Sequence, residues 1–349
     1  MFFVSLAHLI IYRMIRIFEN TDISSRNSFH VRQSAALVAE FDRAEELTEL
    51  FDQHIHDEWM ALGGGNNILF TQDVEQALIV PCDDRIEIIE ENDDEVLVRA
   101  GAGVEWDDLV EWSVNHQLWG IVNLSLIPGK VGAAPVQNIG AYGAEAKDCI
   151  VSVDIFTPQS RTHSTLDAAQ CNFGYRDSIF KNELKGQVII TSVLFRLSKL
   201  ADPKLGYGDV AREVEARGGA TLRNIREAIC SIRRYKLPDT AVMGNAGSFF
   251  KNPVVERSIA EHLLADHPDM PHYPASEPDK VKLAAGWLID QSGLKGYNNG
   301  RVGVHEKQAL VLINLGDATG EEVVAFAKFV QSTVAEKFGI DIEPEVNIL

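Results

Sequence analysis

Two glycine-rich stretches constrain this chain more than any other feature: Gly63-Gly64-Gly65-Asn66-Asn67, and the long run from Leu126 to Gly143, LIPGKVGAAPVQNIGAYG. The second holds four glycines, two prolines and several small alanines. Such a run leaves bare backbone N–H groups that can approach a pyrophosphate without interference from Cβ atoms. Taken alone, the triple glycine reads as a tight turn. Ile68 occupies the last glycine position of GxGxxG and no Gly-Lys-Ser/Thr appears, so it is neither a Rossmann fingerprint nor a Walker loop. Two separate cradles in one β-rich region point to a dinucleotide lying between them.

Size and charge bound the rest. At about 150 residues per domain, 349 residues suggest two domains, and 46% hydrophobic residues suffice for folded cores. The net charge of −19 argues against a nucleic-acid partner, which would need clustered Lys and Arg. Cys82, Cys149, Cys171 and Cys230 stand apart with no CxxC pair, which suits a reducing cytoplasm better than a disulfide scaffold or a zinc site. The apolar start from Met1 to Ile17 is interrupted by Arg13 and Arg16, and its clear part, Met1 to Tyr12, is short of the roughly 20 residues that span a bilayer. Met14 is therefore expected as the natural start, or residues 1–26 as a dispensable extension. No membrane partner is expected.

Along the chain, the apolar spacing from Val38 to Ile55 predicts an amphipathic helix. A strand is predicted at Trp59 to Leu62, another extended piece at Ile68-Leu69-Phe70, and strands at Glu95 to Gly101, Ile150 to Thr157 and Val188 to Leu197. The acidic run Asp83 to Glu95 reads as a solvated strand and turn. Beyond Pro238 the texture changes to Gly/Asn-rich turns, a proline-rich loop and a predicted helix from Val281 to Gln291. The closing unit has an apolar Ala309 to Ile313, a capping box of Thr319 with Glu322, a helix to Lys337, Gly339 as its stop, and a last strand near Ile342.

Other motifs are ambiguous by themselves. Gly174-Tyr175-Arg176-Asp177-Ser178 reads as a surface Arg–Asp pair. In Gly244-Asn245-Ala246-Gly247-Ser248-Phe249-Phe250-Lys251-Asn252-Pro253 the serine is an ordinary turn or cap residue, and the spacing is not that of a hydrolase nucleophile elbow. The predicted helix Leu222 to Lys236 carries Arg223, Arg226, Arg233, Arg234 and Lys236, either an anion site or a solvated face. His54-Ile55-His56 precedes Asp57 and Glu58, but no further ligands can be assigned, so no metal is expected.

Together, in this order, these motifs and Glu343-Pro344-Glu345-Val346 resemble the UDP-N-acetylenolpyruvoylglucosamine reductase family, from about Asn27-Ser28-Phe29 to Glu345. The resemblance implies an α+β fold: an FAD-binding domain of the vanillyl-alcohol-oxidase (PCMH) type over residues 27–237, in two subdomains, an α+β substrate-binding domain over 238–340, and a C-terminal strand over 341–349 carrying Glu345. It implies noncovalent FAD, consistent with the lack of histidine or cysteine in either cradle, held by Gly63, Gly64, Gly65, Asn66, Asn67, Ile127, Pro128, Gly129, Ala133, Gln137, Asn138, Gly140 and Tyr142. Tyr207 looks like the tyrosine of the family's type I branch that folds over the nucleotide sugar. Tyr175, Arg233, Lys236, Asn252 and Gln308 would also contact substrate. Asn66 stands where many members have serine, and the chain stops four residues after Glu345, which leaves open what packs behind it.

The implied chemistry is reduction of UDP-N-acetylglucosamine enolpyruvate by NADPH through FAD, in the cytoplasm and as a monomer. Hydride reaches C3 of the enolpyruvyl group, Arg176 and Glu345 stabilise the enediolate, and Ser248 protonates C2. A different flavoprotein of the same fold would share the cradles but not Ser248, Tyr207 and Glu345 together; a non-catalytic nucleotide-sugar sensor could keep the binding residues, but would not be yellow and bleach with NADPH. All of the ligands are anions, whereas the chain is strongly acidic. If long-range repulsion matters, raising ionic strength from low salt speeds substrate association, which stopped-flow mixing would measure.

Overall fold

The computed structural model describes residues 15–55, 58–275 and 277–349. The expectations for Met1 to Met14, and for His56 and Asp57, lie outside the described residues. Among the described residues, no group of three or more His, Cys, Asp or Glu side chains is placed to hold a metal. No helix there is long and apolar enough to cross a membrane.

Two sheets organise the first part of the chain. One has the order Arg16–Asp22, Ser34–Phe41, Val74–Pro81, Trp59–Ala61, with its first pair antiparallel and the others parallel. The other is antiparallel throughout, in the order Thr162–Asp167, Ile150–Thr157, Ile189–Ser198, Glu95–Gly101, Ile86–Glu91. The helix Glu46–Gln53 joins them, packing Leu47, Leu50 and Phe51 against Phe41 and Ile79 of the first and Phe156 and Ile189 of the second. The acidic run is the solvated edge strand Ile86–Glu91, whose charges discourage pairing with another chain.

Three expectations about elements are corrected. The helical spacing from Val38 belongs first to the strand Ser34–Phe41, and the helix spans only Glu46–Gln53. That strand is central in its sheet and buried on both faces. Ala35 and Val38 enter one core while Ala39 and Phe41 enter another, which erases the period-two signal. The predicted helix from Val281 begins only at Ala285. Lys280–Leu283 is a strand between Val254–Glu256 and His272–Pro274, and the Ala285 N–H donates to Asn252 Oδ1 at 3.0 Å. The last strand is not near Ile342 but at Asn347–Ile348, parallel to Ile68–Leu69.

Residues 16–26, which the sequence places in an extension, are part of the first sheet and its following turn. Arg16 pairs with Glu40 at 2.7 Å and Asp42 at 2.9 Å. Just beyond, buried Asn27 donates to the carbonyls of Ile23 and Val31 and accepts from the Val31 N–H. Ser28 then links the two parts of the chain: its N–H donates to the Gly65 carbonyl, and its own carbonyl accepts from the Asn245 N–H. The largest core accordingly mixes Phe29, Val38, Leu69 and Leu78 with Phe249, Phe250, Leu288, Val330 and Val346. A second core lies under the antiparallel sheet, around Trp106 and Phe195.

The closing helix Gly320–Phe338 has the expected capping box of Thr319 and Glu322, and Gly339 ends it in the left-handed conformation. Its first residue sits against Phe70, where a Cβ on Gly320 would run into the Phe70 carbonyl. Thr319→Ala should cost about 1 kcal/mol. Gly320→Ala should cost more, about 1–3 kcal/mol from overpacking against backbone. Urea midpoints at unchanged slope measure both, and equal losses would refute the packing argument.

Candidate active site

The two glycine stretches lie against each other. A Cβ on Gly63 would meet the Ala133 Cβ at 3.3 Å, and one on Gly64 would meet the Gly129 Cα at 3.1 Å. Gly65, at φ +64°, has no room for any side chain because the Arg26 carbonyl fills the space. The Asn67 amide donates to Gln137 Oε1 at 2.8 Å and ties the first turn to the second loop. Gly129, at φ +121°, and half-exposed Asn66, Ile127, Ala133 and Gln137, with exposed Pro128, line the junction. At Gly129 an added Cβ would meet only Asn66 Oδ1, at 3.6 Å, so the loop presents open backbone of the kind a dinucleotide pyrophosphate requires.

The far end of the long loop aims the arginine. Asn138, fully buried at φ +45°, donates both amide hydrogens to protein, to Glu145 Oε2 at 3.0 Å and to the Gly174 carbonyl at 2.8 Å, and accepts from the Lys147 N–H. Its side chain is thus spent on the fold, leaving only its backbone to a cofactor. Ser178 Oγ donates to the Val136 carbonyl, a second stitch to the same loop. Gly174 and Asp177 close a tight turn with Tyr175 and Arg176 at its tip. Arg176 sits at φ +54°, a conformation that costs a non-glycine residue about 1–2 kcal/mol. The expected surface Arg176–Asp177 pair does not form. Asp177 accepts from Asn182, and Arg176 reaches the Gly140 carbonyl at 2.7 Å and Glu345 Oε1 at 3.2 Å.

Glu345 comes from the other end of the chain. Its N–H donates to the Phe249 carbonyl at 2.7 Å, and the Phe249 N–H donates to the Leu310 carbonyl, so Ser248 and Glu345 sit on adjoining extended segments. Behind Glu345, Val346 is buried. The N–H and amide of Asn347 both donate to the Asn67 carbonyl at 3.0 Å, which stitches the end of the chain to the first glycine turn. Burial lifts the Glu345 carboxyl above its ordinary value, although Arg176, Lys181 and Lys251 pull the other way.

The expected substrate residues are carried by two sets of elements. Tyr175 is half-exposed, its ring 5.7 Å from the Arg176 guanidinium carbon and 3.9 Å from Lys282 Nζ, with Asn252 beside its hydroxyl. Gln308 abuts Gly286 in the helix Ala285–Gln291, which Asn252 caps. Tyr207 packs edge-on against Tyr142 at 5.9 Å and lies within electrostatic reach of Arg176. Arg233 donates to the Leu126 carbonyl at 3.1 Å, and burial pushes its pKa down beside Tyr142. Lys236 is half-buried one turn further on. The basic helix Leu222–Lys236 is not a single anion site: Arg226 is committed to Asp107 at 2.7 and 2.9 Å, and Arg223 to Glu227.

Sequence reasoning missed Lys181, Lys251 and Lys282. The first two stand inside quoted or adjoining motif residues, and their neighbours could have flagged them. Lys282 carries no local signal, since only the pairing of Lys280–Leu283 brings it to Tyr175.

A family model described as UDP-N-acetylenolpyruvoylglucosamine reductase, C-terminal domain, matches residues 238–349, and one described as FAD binding domain matches residues 36–165. The UDP-N-acetylenolpyruvoylglucosamine reductase of Bacteroides fragilis is 47% identical over 326 residues, covering 93% of this chain and 98% of its own. The chain belongs to the UDP-N-acetylenolpyruvoylglucosamine reductase family. The reductase of Chromobacterium violaceum is 46% identical over 335 residues, with 95% and 98% covered. The crystal structure of the Thermus caldophilus reductase, at 21% identity, shares the fold with a TM-score of 0.67 over 96% of this chain and 98% of that one. The fold is therefore α+β with an FAD-binding domain, and FAD is the cofactor. Gly65→Ala should yield protein that loses its yellow colour on gel filtration and has a lower melting temperature, through strain and collision with Arg26. Gly63→Ala should retain most of its flavin, because its neighbour is a single methyl group.

Proposed function

We propose that Arg176, Glu345 and Ser248 carry the second half-reaction of this enzyme. The protein is an FAD-dependent oxidoreductase that reduces UDP-N-acetylglucosamine enolpyruvate to UDP-N-acetylmuramate with NADPH, in peptidoglycan precursor synthesis. Gly63 to Asn67, with Ile127, Pro128, Gly129, Ala133, Gln137, Gly140 and Tyr142, would hold FAD in this reading. When bound, FAD supplies hydride transfer, accepting from NADPH and donating to the enolpyruvyl double bond.

The observation that carries the residue roles is the Arg176–Glu345 contact at 3.2 Å, made between the turn Gly174–Asp177 and the C-terminal segment, beside the Gly140 carbonyl of the long loop. Hydride addition at C3 pushes negative charge onto the substrate carboxylate. Arg176 would meet that charge with a preorganised guanidinium, already oriented by the Gly140 carbonyl. Glu345, only 13% exposed at its side chain, would act as a hydrogen-bond donor in its protonated form, which burial favours. Ser248 would supply the proton at C2. Tyr175, Asn252, Gln308, Tyr207, Arg233 and Lys236 would bind the nucleotide sugar. Residues 238–340 would form the substrate-binding unit. Buried or half-buried free cysteines support a place in the cytoplasm.

Rapid mixing separates the half-reactions. Ser248→Ala should leave flavin reduction by NADPH nearly intact and slow reoxidation by the enolpyruvyl substrate about 10²–10³-fold or more. Equal slowing of both would remove Ser248 from the mechanism. Because the working form of Glu345 is protonated and its pKa is raised, reoxidation should persist to higher pH than an ordinary carboxyl allows and fall as pH rises through that pKa. Glu345→Gln should abolish this alkaline limb.

A further inference from the structure

Lys181 has no place in the reading above, yet it sits behind the catalytic arginine. It ends the helical turn Ile179–Lys181, and its Nζ donates to the Arg176 carbonyl at 3.0 Å. That carbonyl belongs to the residue held at φ +54°. Among the described residues Lys181 forms no ion pair with a carboxylate, whereas Lys251, its neighbour in charge, leans to Glu343 at 3.7 Å. The ammonium is half-buried, so a backbone carbonyl is an expensive partner for it unless the position itself is what matters.

We propose that Lys181 is a positioning residue for the second half-reaction: by gripping the Arg176 carbonyl it locks the left-handed turn and keeps the guanidinium aimed at Glu345 and the Gly140 carbonyl. Two consequences follow from its charge. Glu345 is faced by Arg176, Lys181 and Lys251, with the Tyr175 hydroxyl also nearby, and each cation opposes the burial that favours its proton. Lys181 is in turn faced by Lys251, Arg176, Glu345 and Asp177, with burial and the two cations lowering its pKa and the two carboxylates raising it. Removing this ammonium therefore both loosens the Arg176 turn and lets Glu345 keep its proton to higher pH.

The inference rests on Glu345 acting in its protonated form, and the test separates the two ideas. Lys181→Met and Lys181→Gln holoenzymes should be reduced by NADPH at the parental rate but reoxidised roughly ten-fold more slowly, with the alkaline limb displaced upward by about one pH unit, the scale of one neighbouring charge. Lys181→Arg should restore both. A second readout needs no turnover: the carboxyl carbon-13 resonance of Glu345, identified by its absence in Glu345→Gln, should titrate at higher pH in both neutral variants. An unmoved limb and resonance, or equal impairment in Lys181→Arg, would overturn the role of Lys181. If Glu345→Gln leaves the limb intact, the role of Glu345 falls, and this inference with it.

Discussion

The approach of Gly64 to Gly129, where an added Cβ would lie 3.1 Å from the opposing Cα, is the constraint on which the site depends. Backbone packed against backbone leaves one surface of unhindered peptide groups, and each flank of that surface is tied to a different part of the chain. Gly65 backs onto Arg26 and Ser28, Asn67 onto Gln137 and Asn347, and the far end of the long loop onto the Arg176 turn through Asn138 and Gly140. The packed glycine loops and the Arg176–Glu345 contact are consequently tied together by the same hydrogen bonds. Moving either loop would move both Arg176 and Glu345.

The electrostatics run against the overall charge. A chain with net charge −19 presents Arg176, Lys181 and Lys251 around one buried carboxyl. Its acidity is carried outside, as on the edge strand Ile86–Glu91, where water screens it. Within the site, loss of solvent amplifies every local charge, so a few cations outweigh the excess of surface carboxylates.

Much of the fold was legible where local chemistry is strong. The capping box at Thr319, the stop at Gly339, the helix Leu222–Lys236 and the strands Glu95–Gly101 and Ile150–Thr157 all stand where pattern placed them. Pattern failed at Ser34–Phe41 and Lys280–Leu283, both middle strands covered by neighbours, where burial on two faces or a short length hides the alternation. The same limit applies to the site. Arg176 beside Asp177 read as a pair, because proximity in sequence cannot reveal that the turn faces them apart.

By itself, the sequence determined the glycine-rich stretches and the order of the motifs, since backbone freedom is a property of residues; Arg176, Ser248 and Glu345 stood out only through the family resemblance of that order. Only the tertiary structure decided which of these meet. Glu345 reaches Arg176 because Asn347–Ile348 pairs with Ile68–Leu69 beside the first glycine turn. Asn138 turns inward to the fold, and Lys181 closes on the Arg176 carbonyl. The first joins distant segments through strand pairing, and the other two depend on residues held at positive φ, Asn138 and Arg176, which only the folded turns impose.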